Sequence, residues 1–427
     1  MKKVLIMAAM LSASLPFVFA QDTSKVSVKP YGFVRNYLTF DSRRTYTVVG
    51  GEYNMQPYDV DMVDGVDVND VPSLQMQALT SRFGVALTGP SLMGWETSGK
   101  LEGDFGGFGT TNTVLRLRLA YVKFERQASL NSQLIIGQDW HPLSGDIMPE
   151  VLGMAAGAPF RPHSRTPQVR ATQYWGAFGY TAAVLWQLQY MNNGPKSASD
   201  PASVASLDFA NHALWPEAFL ALNLKTGGFY GQMGIDAQII RPRTHAVVAG
   251  VTKKVDETVT SLTPTLYAQY VGDLWSLKLR TLLAQNTSHL NQLNGYAVSG
   301  VNEDGSWDYE PLRASISYLN IAVGKTWRGN LFLGYMKNRG AASDLHDFGM
   351  GNYLIYMKGG ESFIHLNSLY RIAPSISYNV KAFNIGLEYE WTAATYGELA
   401  ANGSNHLNDH LHQVDNHRIC MMVKYNF

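Results

Sequence analysis

The sequence predicts an all-β fold, a transmembrane antiparallel β-barrel of about sixteen strands. Three observations carry this prediction. The 427-residue chain holds 12% aromatic residues and 39 glycines but only 16% charged residues, whereas a soluble domain usually has roughly 25% charged residues. Beyond the N-terminus no run of about 18 apolar residues occurs, which excludes a polytopic helical membrane protein. The mean hydropathy of −0.12 is what alternating barrel strands give.

The charge balance and the N-terminus narrow the class further. Lys and Arg total 34, as do Asp and Glu, so the formal net charge is +0 and no basic surface for nucleic acid is expected. A pair of lysines precedes the apolar stretch from Val4 to Phe19. This pattern predicts a secretory signal peptide over residues 1–20 and an outer-membrane β-barrel over residues 21–427. The single Cys420 cannot form an internal disulfide.

The C-terminal segment shows the period of a strand most clearly. Every second residue is apolar or aromatic: Ile419, Met421, Val423, Tyr425 and Phe427. Polar residues stand between them, so one face is apolar and the other is polar. The aromatic terminus resembles the last strand of bacterial outer-membrane barrels. A soluble sandwich also alternates, but the arginines of other strands would then face a closed core without partners, which is costly.

The same alternation recurs upstream and gives sixteen strands. Short turns and long loops alternate between them, which is the topology of an outer-membrane barrel with both termini on the periplasmic side. Sixteen strands leave an aqueous channel, whereas eight would be filled by side chains. The strands are predicted near residues 26–40, 76–88, 94–105, 114–126, 132–140, 168–176, 178–191, 215–226, 229–241, 258–270, 274–287, 314–325, 331–339, 367–378, 382–396 and 417–427.

One segment carries a more specific pattern. It reads LRLRLAY from Leu115, GQDW from Gly137 and, after a long loop, RTPQVR from Arg165. This resembles the DcaP-like trimeric porins of Gram-negative outer membranes, in which an R-hydrophobic-R-hydrophobic-A-Y strand precedes a GQ-x-W strand, and a long third loop ends in R-x-PQ-hydrophobic-R. The resemblance covers residues 114–172. The sequence differs from the family pattern after Trp140 and in the first, sixth and seventh loops.

The resemblance implies a sixteen-stranded barrel, usually trimeric, whose third loop folds inward and narrows the pore. The composition of residues 148–159 supports this fold-in independently, because the segment is small and apolar and exposed loops are rarely so. A loop that packs on a neighbouring subunit or on other external loops is the alternative.

Charged side chains are predicted to line the constriction. Alternation places Arg116 and Arg118 together on the polar face of the fourth strand. Opposed charges across a narrow pore create a transverse field that orients dipolar solutes, and arginine stays charged and grips carboxylates bidentately. The alternative is that these arginines pair with wall acids only to hold the loop. The predicted constriction residues are Arg35, Arg82, Arg116, Arg118, Asp146, Glu150, Arg161, Arg165 and Arg170.

These expectations favour a porin for passive diffusion of small hydrophilic solutes, with anions as the candidate class. A channel specific for dicarboxylates or oligosaccharides, or a non-conducting barrel adhesin, is the alternative. No catalytic residues, cofactor or metal are expected, and the loop histidines within 406–417 and the loop aspartates within 59–70 are interpreted as solvated faces. The expected partners are solutes, outer-membrane lipid and further copies in a homotrimer. The expected location is the Gram-negative outer membrane, after removal of the signal peptide.

Overall fold

A single closed barrel accounts for the long strands of the structure. The computed structural model describes residues 26–107, 114–127, 131–144, 148–153, 157–358, 364–399 and 409–427. Sixteen antiparallel strands, β1 to β16 in chain order, follow one another around the barrel. The first strand pairs with both the second and the last, which closes the cylinder. Among the described residues, no helix is long and apolar enough to cross a membrane.

All sixteen predicted strands are present. The first eight are β1 Ser27–Asp41, β2 in two segments Ser73–Gln77 and Arg82–Thr88, β3 Glu96–Gly107, β4 Val114–Gln127, β5 Asn131–Trp140, β6 Arg165–Trp175, β7 Phe178–Leu185 and β8 Glu217–Thr226. The other eight are β9 Phe229–Ile240, β10 Val259–Val271, β11 Trp275–Gln285, β12 Arg313–Gly324, β13 Trp327–Gly340, β14 Leu366–Val380, β15 Phe383–Glu398 and β16 Asp409–Asn426. Strand β16 begins eight residues before its predicted start at 417, and β7 ends six residues before its predicted end at 191.

Shorter elements lie in the loops. The helices are the four-residue Asp208–Asn211 and the 3-10 helix Ser288–Leu290. Four two-stranded hairpins are formed by Thr45–Val48 with Tyr53–Pro57, Met62–Val63 with Val66–Asp67, Asn193–Pro195 with Ser203–Ala205, and His245–Val248 with Val251–Lys254. A three-stranded sheet is formed by Gly295–Val301 with Trp307–Pro311 and Ile355–Met357.

The period of two separates the outer face of the barrel from its interior. In β16, Met421 is 51% exposed, whereas its neighbours Cys420 and Met422 are 4% and 5% exposed. Strand β4 interrupts this alternation. Up to Leu117 the odd-numbered residues face outward. A register shift against β3 then turns the even-numbered residues outward, and Val122 is 49% exposed.

The described parts of the third loop, residues 141–144, 148–153 and 157–164, lie inside the barrel. The loop leaves the wall between β5 and β6 and reaches the opposite wall. On β11, Lys278 Nζ donates to Met148 O at 2.9 Å. On β15, the carboxyl group of Glu388 accepts hydrogen bonds from the backbone N–H groups of Leu152 at 2.8 Å and Gly153 at 3.0 Å. The predicted inward fold of this loop is therefore confirmed.

The first loop, residues 42–72, also enters the lumen, which the sequence did not predict. All five residues of its strand Tyr53–Pro57 are buried. Arg371 on β14 donates from Nη2 to Asn54 O at 3.0 Å and Met55 O at 3.2 Å, and from Nη1 to Ala158 O at 2.8 Å. One guanidinium group therefore holds the first and third loops together inside the barrel.

Candidate pore and constriction

A network of ion pairs lines the inner wall formed by β2, β3 and β4. Arg116 Nε lies 2.6 Å from Asp104 Oδ1. Arg118 bridges the two acids, with Nη1 2.9 Å from Asp104 Oδ2 and Nε 2.8 Å from Glu102 Oε1. Arg82 Nε lies 3.5 Å from the same Glu102 oxygen. Three of the predicted arginines thus share two carboxylates, which leaves one net positive charge (3 − 2 = 1) on this part of the wall.

Three cations surround one aromatic ring beside this network. The guanidinium carbons of Arg35 and Arg82 and the Nζ atom of Lys424 each lie 4.9 Å from the ring centroid of Phe33. Arg35 Nη2 also donates to Thr80 Oγ1 at 2.9 Å. Within the described ranges, neither Arg35 nor Lys424 has a carboxylate within 4.0 Å, and both side chains are half-buried. Buried Glu52 of the first loop offsets part of the charge of Arg35, and the inner surface formed by β16 and β1 to β4 retains an excess of cations.

Two further predicted arginines lie beneath the loops rather than at an open surface. Arg161 and Arg165 are both 0% exposed. Together with Arg118 they surround the ring of Trp140, with guanidinium carbons 5.5, 4.5 and 5.7 Å from its centroid. The guanidinium nitrogens of Arg165 have no hydrogen-bond partner among the described residues. These two arginines are buried positive charges behind the inner wall.

The predicted acids are placed differently. Asp146 lies outside the described residues. Glu150 accepts hydrogen bonds from Arg328 Nε at 2.6 Å and Ser276 Oγ at 2.8 Å, and Lys278 Nζ lies 3.5 Å away. Burial acts to raise the pKa of Glu150, but the bonds from Arg328 and Ser276 outweigh it, and the net shift is downward. Glu150 thus pairs with β11 and β13, on the wall opposite β4.

An open cavity of about 810 Å³ lies along β4 to β10, at the end of the barrel that carries the short turns. Amide, hydroxyl and charged side chains line most of it, and it reaches Pro142 at the root of the third loop. Arg170, the last of the predicted constriction residues, also lines it, and its Nη2 atom lies 2.6 Å from Asp139 Oδ2. We call this cavity the vestibule.

His163 joins the third loop to the first. Its Nε2 atom lies 2.8 Å from the Tyr53 hydroxyl, and its Nδ1 atom accepts a hydrogen bond from Arg161. Because a guanidinium group can only donate, the ring hydrogen must sit on Nε2, which donates to Tyr53. Burial and then the charges of Arg161 and Arg165 hold the pKa of His163 well below its ordinary value. The imidazole is therefore neutral.

This lowered pKa predicts that His163 destabilises the barrel in acid. Above about pH 6.5 the ring is neutral in both folded and unfolded chains. As the pH falls below that value, only the unfolded chain takes up the proton. The free energy of unfolding should therefore fall by about 1.4 kcal/mol per pH unit from this group. Urea titrations of detergent-folded protein between about pH 6.5 and pH 5 should give a shallower pH dependence for His163→Gln than for the wild type.

His212 supplies the matched control for that measurement, because it is exposed in an external loop. His212→Gln should keep the pH dependence of the wild type. An unaltered pH dependence in His163→Gln would show that the buried imidazole takes up a proton in the folded protein, contrary to the expectation.

The histidines near the C-terminus do not share one centre among the residues that the structure covers. His410 Nδ1 lies 3.2 Å from Glu398, and His412 Nε2 lies 2.6 Å from Asp59. His417 Nδ1 lies 2.7 Å from the Tyr389 hydroxyl. Residue 406 lies outside the described residues.

The closed barrel and its loop-narrowed lumen define a porin-like barrel of sixteen strands. The chain is similar to the outer-membrane-expressed OmpT of Vibrio cholerae, at 12% identity and a TM-score of 0.51 over 95% of this chain and 99% of that chain. The in-vitro folded trimer form of that OmpT gives 13% identity and a TM-score of 0.50 over 95% and 100%. Salmonella typhi OmpF in complex with daunomycin gives 9% identity and a TM-score of 0.50 over 94% and 97%.

At these identities the likeness concerns the fold. No protein-family model and no curated protein matches the sequence. Membership of the DcaP-like porins therefore stays a prediction.

Proposed function

We propose that this protein is a porin of the Gram-negative outer membrane, which passes small hydrophilic solutes by passive diffusion and favours anions. The observation that carries the proposal is the excess of cations on the inner wall of β16 and β1 to β4, where neither Arg35 nor Lys424 has a carboxylate within 4.0 Å among the described residues. Low-dielectric walls focus the field of such charges into the lumen. Diffusion needs neither a cofactor nor a catalytic residue.

The proposed route passes through the vestibule and between the third loop and the wall of β1 to β6. Arg35, Arg82, Arg116 and Arg170 are half-buried and would meet the solute directly. The buried residues Arg118, Arg161 and Arg165 would act through their potential, and Asp146 and Glu150 would belong to the loop side. The homotrimer is part of the proposal, and the similar OmpT structure is described as a trimer form.

A channel specific for dicarboxylates is the second candidate. Arg35 and Lys424 lie at equal distances of 4.9 Å from the ring of Phe33. Two unpaired cations beside one apolar ring form a surface that suits a compact solute with two carboxylates.

The charge preference is tested by the reversal potential of the folded barrel in a planar bilayer across a KCl gradient. The wild type should prefer chloride. Arg35→Gln with Lys424→Gln should lower the ratio of anion to cation permeability by roughly twofold or more, because two positive charges leave the wall.

Lys196→Gln with Lys253→Gln is the matched control, because it removes the same charge from exposed positions in two external loops. It should keep the wild-type ratio. A cation preference in the wild type would refute the anionic proposal, and a verified folded barrel without conductance would refute the porin. Competition with a monocarboxylate and a dicarboxylate of similar size separates the general porin from the specific channel.

A further inference from the structure

Four titratable side chains meet at the root of the third loop, away from the arginine wall. His141 comes from the loop, Glu217 begins β8, Asp236 lies on β9, and His289 lies in the 3-10 helix of the sixth loop. Glu217 Oε1 lies 2.9 Å from His141 Nε2 and 3.0 Å from His289 Nε2. Asp236 Oδ1 lies 3.7 Å from His141 Nε2. All four residues are 5% exposed or less.

The cluster has more acceptor capacity than its described neighbours use. Glu217 Oε2 and Asp236 Oδ1 are buried without a nitrogen or hydroxyl donor among the described residues, and the two carboxyl groups hydrogen-bond to each other, which requires a proton on one of them. The nearby guanidinium group of Arg170 is already bonded to Asp139 at 2.6 Å. Two adjoining buried carboxyl groups are costly unless a proton, a charged histidine or a metal ion compensates them.

The spacing of the donor atoms suits a divalent metal ion. An ion with four tetrahedral ligands at about 2.0 Å keeps those ligands about 3.3 Å apart. The three measured separations of 2.9, 3.0 and 3.7 Å bracket this value, and the ligand atoms of His141, Glu217 and His289 all lie within 4.8 Å of one another. Imidazole nitrogens and carboxylate oxygens are ligands that Zn²⁺ accepts.

We propose that His141, Glu217 and His289 bind a divalent cation of the zinc type, with Asp236 as the fourth group, where the third loop leaves the wall. The cavity extends to Pro142, the chain neighbour of His141, but none of the four side chains lines it. Binding of the ion does not depend on the proposed porin function.

Binding would compete with one contact at the root of the loop. Leu143 N–H donates to His141 Nδ1 at 3.1 Å, so the ring hydrogen sits on Nε2. When an ion occupies Nε2, the ring hydrogen must move to Nδ1. Nδ1 can then no longer accept the hydrogen bond from the Leu143 N–H, and the two hydrogens would point at each other. The Leu143 contact must therefore open when the ion binds. Occupancy of the site is thus coupled to the position of the third loop.

Cobalt(II) is the probe for the test, because its tetrahedral complexes absorb strongly in the visible range. Titration of the folded wild-type barrel should reach one Co²⁺ per chain, and Zn²⁺ should abolish the absorbance. His289→Gln should weaken Co²⁺ binding by about tenfold or more, because removing a metal ligand lowers the affinity more than removing a residue that only hydrogen-bonds to a ligand. His410→Gln with His412→Gln, which removes two exposed histidines, should bind as the wild type does.

Heat-modifiable migration in gels verifies that each variant is folded, and Asp236→Asn replaces His289→Gln if the latter fails to fold. Equal Co²⁺ binding by the wild type and the folded cluster variant would overturn the site, as would loss of binding in the control variant. Zn²⁺ should also change the single-channel conductance of the wild type but not of His289→Gln. Binding without any conductance change would overturn the coupling to the third loop.

Discussion

Replacing Arg371 with Met should release the first and third loops at once and raise the single-channel conductance roughly twofold or more, because a wider lumen conducts better. The guanidinium group of Arg371 is 2% exposed and spans both loops. It binds backbone carbonyl oxygens of Asn54 and Met55 in the first loop and of Ala158 in the third. Methionine retains the bulk of the side chain but none of these hydrogen bonds.

The same substitution removes the cationic partner of Glu390, whose Oε1 atom lies 3.3 Å from Arg371 Nε and keeps hydrogen bonds from Asn54 and Thr392. We therefore also expect a lower free energy of unfolding, by about 3–5 kcal/mol for a broken buried pair. Arg339→Met is the matched control, because Arg339 is exposed on neighbouring β13 and bonds only to Ser315 Oγ among the described residues. Conductance equal to that of the wild type in a folded Arg371→Met barrel would show that other contacts suffice to hold the loops.

Replacing Arg118 with Met should lower the free energy of unfolding by about 3–5 kcal/mol. Arg118 is 1% exposed and is the one residue that bonds to both Glu102 and Asp104 among the described side chains of this wall. Its loss leaves Glu102 with Arg82 and the Tyr31 hydroxyl, and Asp104 with Arg116 and the Gly106 N–H. The change is measured from the urea midpoints of the two detergent-folded barrels, which are converted into free energies of unfolding with one m value for both proteins.

Arg126→Met is the control on the same strand, because Arg126 is exposed and should be tolerated within about 0.5 kcal/mol. A second comparison isolates the cause. If the uncompensated carboxylates are responsible, Glu102→Gln should recover part of the loss in the Arg118→Met background and should cost stability in the wild type. Additive effects of the two substitutions would refute a direct interaction.

The period of two was sufficient to predict the barrel from the sequence. Every predicted strand is present, and Arg116 and Arg118 share the inner face as their spacing indicated. The apolar composition of residues 148–159 also predicted the fold-in of the third loop. These features are local: each depends on a few neighbouring residues and on the polarity of the two environments that a strand separates.

The remaining features depend on partners that are distant along the chain. Burial of the first loop rests on Arg371, which is 317 residues from Asn54. The histidine and carboxylate cluster joins Glu217 to residues 76 and 72 positions away. The switch in β4 from odd-numbered to even-numbered residues on the outer face comes from its register with β3. Neither composition nor periodicity carries such information.

The pairing of β1 with β16 has a consequence for how the molecule forms. Gly32 and Phe427 exchange backbone hydrogen bonds of 3.1 and 3.0 Å, and the next pair joins Phe33 to Asn426, a separation of 393 residues (426 − 33). Contacts between residues so far apart in the sequence form slowly, because a very long loop must close first. Until then the sheet has two unpaired edges, each a template for a strand of another molecule. The yield of refolding should therefore decline as protein concentration rises, since intermolecular pairing competes with closure of the seam.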